Sequence, residues 1–148
     1  MDFGIPADLL KAFALHASLV VGKTLLVAPI TSYFRITKSV FSNPEDTKLA
    51  GEKGKLKLDD VDVERVRRCH RNDMENVFPF VLAGFFYCMT RPEYATALWH
   101  FRVFTVSRFL HTLVYLGKVP QPARGLCCTV GWIACISMVA QSILHFWH

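Results

Sequence analysis

The sequence lacks the cysteine pattern of a disulfide-stabilised protein. It has five cysteines, an odd number; none has a CxxC spacing, and four lie in apolar stretches. We therefore expect thiols in a membrane core and no disulfide framework.

Motifs for nucleic acids, metals and secretion are also missing. Without a zinc-finger spacing or an aromatic RNA-binding motif, the formal net charge of +5 is a poor argument for nucleic acid as a partner. His100, His145 and His148 show no ligand spacing, which predicts no metal site. The N-terminus is acidic and the apolar run after it is long, so no cleavable signal peptide is expected.

Apolar residues are what the sequence has in excess. They make up 52% of the 148 residues, and the mean hydropathy is +0.28, which is unusual for a soluble domain. A helix needs about 20 residues to cross a bilayer core. The chain is predicted to be one domain over residues 1–148, an all-α integral membrane four-helix bundle. The spans are expected at about 9–34, 63–89, 94–117 and 122–146.

Basic residues are concentrated in one part of the chain. Ten of the seventeen lie between Arg35 and Arg71, and Lys118 and Arg124 flank the connection between the third and fourth spans. With four spans, these two regions share one side of the membrane. The positive-inside rule then predicts a polar cytosolic loop at 35–62 and both termini on the opposite side.

Polar side chains form a stripe on the charged first half of the second span. In a helix, positions i, i+3, i+4 and i+7 share one face, whereas Arg65 and Asp73 fall on other faces. Ionisable groups at membrane depth are costly and usually face a partner or a polar cavity. The residues of the stripe are Arg68, Arg71, Asn72 and Glu75.

A second stripe lies in the third span. Arg108, His111 and Tyr115 have spacings of three and four, and Arg124 opens the fourth span. Together the stripes predict a polar pocket near the cytosolic interface, suited to a small ligand with carboxylates, because arginine presents a planar fork to them.

The same residues also permit structural interpretations in place of a ligand pocket. The charges of the second span could pair with one another and with the third-span arginines, Arg102 included, and so hold the bundle together. Lys23 and His16 are expected to snorkel or to bond between helices and not to act in function. Cys127 and Cys128 are expected to pack against neighbouring helices, although a reactive thiol near the interface stays open.

Four sequence motifs resemble one family. The segment 63–80, VERVRRCHRNDMENVFPF, resembles the signature of the membrane-associated proteins in eicosanoid and glutathione metabolism (MAPEG). The segment 41–46, FSNPED, is similar to the first-loop motif of that family, and 108–117, RFLHTLVYLG, to its third-helix motif. PQPAR at 120–124 resembles the start of its fourth helix.

The resemblance implies a glutathione enzyme. It implies a four-helix subunit, a homotrimer in the endoplasmic reticulum membrane, and glutathione bound between subunits near the cytosolic face. Arg124 would stabilise the glutathione thiolate, with Arg108 and Asp46 as further catalytic candidates. The implied glutathione-binding residues are Arg35, Arg68, Arg71, Asn72, Glu75, His111 and Tyr115.

Two activities remain open within that resemblance. A microsomal glutathione transferase would conjugate glutathione to lipophilic electrophiles, and could also reduce lipid hydroperoxides. The alternative is a glutathione-dependent prostaglandin E synthase. Synthases have Arg-Ser where this chain has Arg124-Gly125, and Tyr where it has Cys128, which favours the transferase. The segments 70–75 and 115–118 are closer to the synthase. A non-enzymatic membrane scaffold is the third possibility, against which the intact set of site residues argues.

Overall fold

Four long helices dominate the computed structural model, which describes residues 4–147. They are α1 (Ala7–Lys38), α2 (Val61–Met89), α3 (Tyr94–Leu116) and α4 (Ala123–Phe146). The shortest has 23 residues, about 35 Å at 1.5 Å per residue, which exceeds the thickness of a bilayer core. The predicted all-α bundle is confirmed, and the helix boundaries lie within a few residues of the predicted spans.

The helices differ in how well they suit a membrane. Among the described residues, α1 and α4 are long and apolar enough to cross one, by length and composition alone. Helices α2 and α3 are long enough but do not meet that composition. Four crossings therefore stay a prediction.

The connection predicted as a loop over residues 35–62 is shorter and contains regular structure. Helix α1 continues to Lys38, and Arg35 and Lys38 lie in its last turn, where cations favour the helix dipole. Beyond it, strand β1 (Val40–Phe41) pairs in parallel with β2 (Lys55–Leu56). A 3-10 helix at Pro44–Lys53 lies between the strands.

An aromatic core holds one part of the bundle together. Phe13 of α1, Phe80 of α2 and Phe101 and Phe104 of α3 are buried. The rings of Phe80 and Phe104 stack at 3.9 Å between centroids. Where α1 meets α2, the backbone of Gly84 lies against the ring of Phe13, and a Cβ there would overlap the ring. Small residues permit such close helix contacts in membrane bundles.

Ion pairs join three segments at one end of the bundle. Lys38 at the end of α1 pairs with Asp60 at 3.0 Å and also with Asp62. Lys118, after α3, reaches Asp62 at 2.9 Å. The α1–α2 and α3–α4 connections therefore lie at the same end, as predicted from the charge count.

Candidate functional site

A buried carboxylate joins three helices. Asp73 is 0% exposed and pairs with Lys23 of α1 at 2.5 Å and with Arg108 of α3 at 2.8 Å. The hydroxyl of Thr112 also donates to it, at 3.3 Å. The expectation that Lys23 bonds between helices is thus met. His16 instead bonds the Ala12 carbonyl of its own helix.

Arg108 extends this cluster toward the predicted ligand-binding residues. Its Nη2 donates to Asn72 Oδ1 at 2.8 Å and lies 3.2 Å from His111 Nδ1. Its Nη1 approaches the Cys128 sulfur at 3.8 Å. Sequence spacing placed Asn72 and His111 on separate stripes, and the structure brings them together through one guanidinium.

Aromatic contacts continue the site to α4. The His111 and Tyr115 rings lie 5.4 Å apart between centroids. The guanidinium carbon of Arg124 lies 4.9 Å from the Tyr115 ring centroid, a cation–π distance. The Nε atom of Arg124 is buried and has no hydrogen-bond partner among the described residues. This leaves a cation with a donor available beside the ring.

The stripe on α2 is divided between the interior and the surface. Asn72 is half-buried and bonded to Arg108, whereas Arg68, Arg71 and Glu75 are exposed. No salt bridge joins these three to another described residue. The interpretation that second-span charges pair with third-span arginines therefore holds for Asp73 and Arg108, but not for Arg68, Arg71 or Glu75 among the described residues.

Two predicted residues lie apart from this network. Arg35 is half-buried near the end of α1, and its Nη1 has no hydrogen-bond partner in residues 4–147. Asp46 lies on the 3-10 helix and accepts a hydrogen bond from Asn43 at 2.9 Å. No described hydrogen bond or salt bridge connects either residue to Arg108 or Arg124.

The expected polar pocket is not enclosed within a single chain. Glu75 instead borders an apolar cavity of about 210 Å³ between α2 and α4, lined also by Trp132 and Cys135. Arg102 was expected to have a partner, but it is exposed beside an apolar groove of about 370 Å³ between α3 and α4. Cys127 lines the same groove, so the adjacent cysteines face different surroundings.

Asp73 is the site residue that sequence reasoning missed, and Cys128 was considered only as an interface thiol, not as a neighbour of Arg108. Asp73 was assigned to another helix face, which is correct, but that face points inward at Lys23 and Arg108. Cys128 follows Arg124 by four residues and so shares its helix face. That spacing was the available signal for Cys128. For Asp73 the signal was that Lys23 and Arg108 both lie in predicted spans, where a cation needs an anionic partner.

Two aspartates at the charged end of the bundle, outside the predicted spans, have lowered pKa values. The hydrogen bond from Lys38, followed by that from Lys118, lowers the pKa of Asp62 to about 2. Lys38 also lowers the pKa of Asp60. Asp60 further accepts from the backbone N–H of Asp62 and Val63 at 3.1 and 3.2 Å, and so caps α2. The carboxylates of Asp60 and Asp62 therefore stay ionised at lower pH than free aspartates do.

Comparison with known proteins identifies the family of this chain. The family model described as MAPEG matches residues 13–144. Microsomal glutathione S-transferase 1 of Homo sapiens is 42% identical over 135 residues, covering 88% of this chain and 86% of its own length. Prostaglandin E synthase of Equus caballus is 43% identical over 141 residues, covering 94% and 90%. This chain belongs to the MAPEG family.

Proposed function

We propose that this protein is a membrane glutathione transferase that conjugates glutathione to lipophilic electrophiles. The observation that carries the proposal is the continuous line of contacts from Asn72 through Arg108 and His111 to Tyr115 and Arg124. Relatives that are named for glutathione transfer support it, since their likeness spans most of the chain.

The charges suit the two ends of glutathione. The tripeptide has two carboxylates and one ammonium group, and arginine binds carboxylates through two parallel N–H donors. Arg35, Arg68 and Arg71 would hold the carboxylates, and Glu75 the ammonium. Because Arg68, Arg71 and Glu75 are exposed and lack salt bridges among the described residues, binding would not have to break an existing ion pair.

The interior residues would hold the rest of the ligand. Asn72, His111 and Tyr115 supply amide, imidazole and phenol groups, which can bond the peptide units of glutathione. For Arg108, a catalytic candidate by its motif, we propose a binding role in the same region, because it contacts Asn72 and His111 directly.

Arg124 is proposed to act on the sulfur. A free thiol titrates near pH ~8.5, and the thiolate is the nucleophile. A guanidinium beside the sulfur stabilises the anion and so lowers the pKa of the bound thiol. The buried Nε of Arg124, without a partner in the described chain, is free to donate to it. The thiolate then attacks an electrophile dissolved in the bilayer, and a carbon–sulfur bond forms as the leaving group, such as a halide, departs. With a lipid hydroperoxide the sulfur takes one oxygen as the O–O bond breaks, the lipid alcohol leaves after protonation, and a second glutathione converts the sulfenic acid into the disulfide and water.

Asp46 is proposed as a further catalytic group because of its loop motif alone. Its carboxylate is bound only by Asn43 among the described hydrogen bonds. A direct role would require the 3-10 helix of this chain or of a neighbouring one to approach Arg124.

We further propose a homotrimer in the endoplasmic reticulum membrane, with four spans in one domain and the active site near the cytosolic face. Site residues on α2 that are exposed and lack ion pairs suit a site completed by a second chain. The ion-paired end carries most of the basic residues, which favours the cytosol. Membrane lipid surrounds the trimer, and the electrophile arrives from it.

Prostaglandin E synthase is the second candidate. The synthase relative is as similar to this chain as the transferase, at 43% against 42% identity. Parallel turnover by the detergent-solubilised protein separates the two. One assay follows conjugation of an aryl halide, and the other follows glutathione-dependent conversion of prostaglandin endoperoxide to prostaglandin E. We expect strong conjugation with little specific isomerisation. Fast, product-specific isomerisation with feeble conjugation would replace the proposal by its alternative.

A further inference from the structure

Asp73 is not itself proposed to contact glutathione, yet it lies at the centre of the buried cluster. Its Oδ1 faces Lys23 Nζ at 2.5 Å and Arg108 Nη2 at 2.8 Å, and its Oδ2 accepts from Thr112 at 3.3 Å. A fully buried carboxylate needs such donors, since an unpaired charge is very costly in an apolar interior. Three helices therefore converge on one side chain.

The hydrogen-bond capacity of Arg108 determines the orientation of two neighbours. Its Nη2 carries two hydrogens and faces three acceptors: Asp73 Oδ1 and Asn72 Oδ1 at 2.8 Å, and His111 Nδ1 at 3.2 Å. A guanidinium has donors only. Asn72 must therefore turn its oxygen toward Arg108, which leaves its NH₂ group as the outward donor. The two Nη2 hydrogens are shared among these acceptors, and an N–H on His111 Nδ1 would point at the Arg108 N–H, so the contact favours the neutral ring with its hydrogen on Nε2.

We infer that Asp73 is a positioning residue for glutathione, which acts through Arg108 to set Asn72 and His111 as hydrogen-bond donors. The inference rests on the proposed function. Glutathione offers peptide carbonyl and carboxylate oxygens, all acceptors, which match an amide NH₂ and an imidazole Nε2–H. Without the carboxylate, the Arg108 guanidinium can turn to other acceptors, and both the Asn72 amide and the His111 ring lose their fixed orientation.

Simple charge balance is the competing role for Asp73. Lys23 and Arg108 bring two positive charges and Asp73 one negative, so the cluster carries +1 when all are ionised. Asp73→Asn raises this to +2, and adding Lys23→Met returns it to +1. The double variant therefore keeps the net charge but lacks the carboxylate that holds Arg108.

Steady-state conjugation by the full-length protein in detergent separates the two roles. For Lys23→Met/Asp73→Asn we expect the glutathione KM to rise about tenfold, equivalent to about 1.4 kcal/mol, while kcat falls less than about threefold because Arg124 is untouched. Lys23→Met alone retains the Asp73–Arg108 pair and should keep a KM close to that of the unchanged protein. If the double variant does not fold, Asp73→Glu retains the charge but displaces the carboxylate, and should also raise KM several-fold.

A spectroscopic measurement reports the orientation directly. In ¹⁵N-histidine spectra of the ligand-free protein, with the signal of His111 assigned by its loss in His111→Gln, we expect a single Nε2–H tautomer. In the double variant, signals of the other tautomer or of the imidazolium should appear.

The outcomes distinguish this inference from the proposed function. A double variant with unchanged KM and an unchanged His111 tautomer would overturn the inference and leave charge balance as the role of Asp73. If the unchanged protein does not bind glutathione, the proposed function fails. The tautomer of His111 in the ligand-free protein then still tests whether Asp73 orients that ring through Arg108.

Discussion

Arg124 has surroundings that suit a catalytic cation. Its guanidinium is fixed over the face of Tyr115 and not held by a carboxylate, since no salt bridge to it is present among the described residues. An arginine paired with a carboxylate would be a poorer partner for a thiolate, because much of its charge would already be neutralised. The contact with Tyr115 positions the charge while leaving it available.

Arg124→Ala should abolish most turnover and leave glutathione binding largely intact. The expected loss in kcat is about 10²-fold to 10³-fold, the range for removal of one group that stabilises developing charge. Turnover and glutathione affinity, measured separately by steady-state kinetics and calorimetry, test this. Arg124→Lys, which keeps the charge, serves as the control. Lost binding with normal turnover at saturating glutathione would refute the assignment.

Gly125 distinguishes this chain from the Arg-Ser pattern expected of the synthases. A Cβ at Gly125 would meet only the Gln121 side chain, at 3.3 Å, so a small side chain fits with a slight shift of that flexible group. Gly125→Ser should therefore fold and conjugate nearly as well as the unchanged protein. If isomerisation needs a hydroxyl at this position, Gly125→Ser should isomerise prostaglandin endoperoxide about tenfold or more faster than the matched Gly125→Ala. Equal isomerisation by the two variants would mean that the hydroxyl is dispensable here.

The ends of the helices are fixed by charge. Lys38 ends α1, Asp60 caps α2, and Lys118 follows α3, and all three meet around Asp62. The cluster therefore determines how the α1–α2 and α3–α4 connections approach each other.

Asp62→Asn should lower the thermal unfolding midpoint by a few degrees at pH 7 and by much less near pH 2. The folded pKa of Asp62, about 2, lies below the ordinary value of about 3.9. Its contribution to stability is thus complete above about pH 5 and is lost as pH falls from about 4 toward 2. Unfolding scans in detergent at several pH values check this, with the exposed Asp59→Asn as the control. A difference between the unchanged protein and Asp62→Asn that does not depend on pH would contradict it.

Close helix packing is concentrated at particular glycines. At Gly131 of α4 an added Cβ would overlap the Ser107 hydroxyl of α3, whereas at Gly22 of α1 nothing lies within 4 Å of it. The two positions form a matched pair, since both lie inside long helices.

Gly131→Ala should destabilise the protein by about 1–3 kcal/mol, because the Ser107 hydroxyl must turn away and give up its hydrogen bond to the Phe104 carbonyl, or α3 and α4 must separate. Gly22→Ala should instead stabilise it by up to about 1 kcal/mol through helix propensity. Thermal unfolding of the two variants side by side tests this contrast. Similar shifts for both would mean that the contact between α3 and α4 yields easily.

At the scale of the whole molecule, one chain divides the residues of the proposed glutathione site between two places. Arg68, Arg71 and Glu75 lie exposed on α2, whereas Tyr115 and Arg124 are half-buried between α3 and α4. A homotrimer in which one chain supplies Arg68, Arg71 and Glu75 and its neighbour supplies the line of contacts from Asn72 to Arg124 would unite them.

Mixed oligomers test that assembly. Co-expression of equal amounts of Arg71→Ala and Arg124→Ala chains, each inactive alone, should restore about a quarter of normal activity, because a quarter of the interfaces in a cyclic trimer would combine the two intact residues. The differently tagged chains are purified together, and each homo-oligomer is the control. No recovery in verified mixed oligomers would mean that both residues act from the same chain.

Much of the fold was predictable from the sequence because it depends on local properties. Apolar length predicted the four helices, and the distribution of basic residues predicted which connections share an end. Helical spacing grouped Arg68, Arg71, Asn72 and Glu75 on one face as the lining of a pocket, whereas the structure turns Asn72 toward Arg108 and leaves the other three exposed. The structure of residues 39–60 was not predictable, since two-residue strands and a 3-10 helix leave almost no periodic signal.

The sequence by itself determined the helices, their polar faces and, through its motifs, the family. Only the tertiary structure decided which faces meet. Lys23, Asp73 and Arg108 lie far apart in sequence, and they become one cluster only when α1, α2 and α3 pack together. Periodicity reports the side of a helix on which a residue lies, but not which helix covers that side. The physical reason is that a buried charge acquires its partner from packing, and the partner can come from any helix of the bundle.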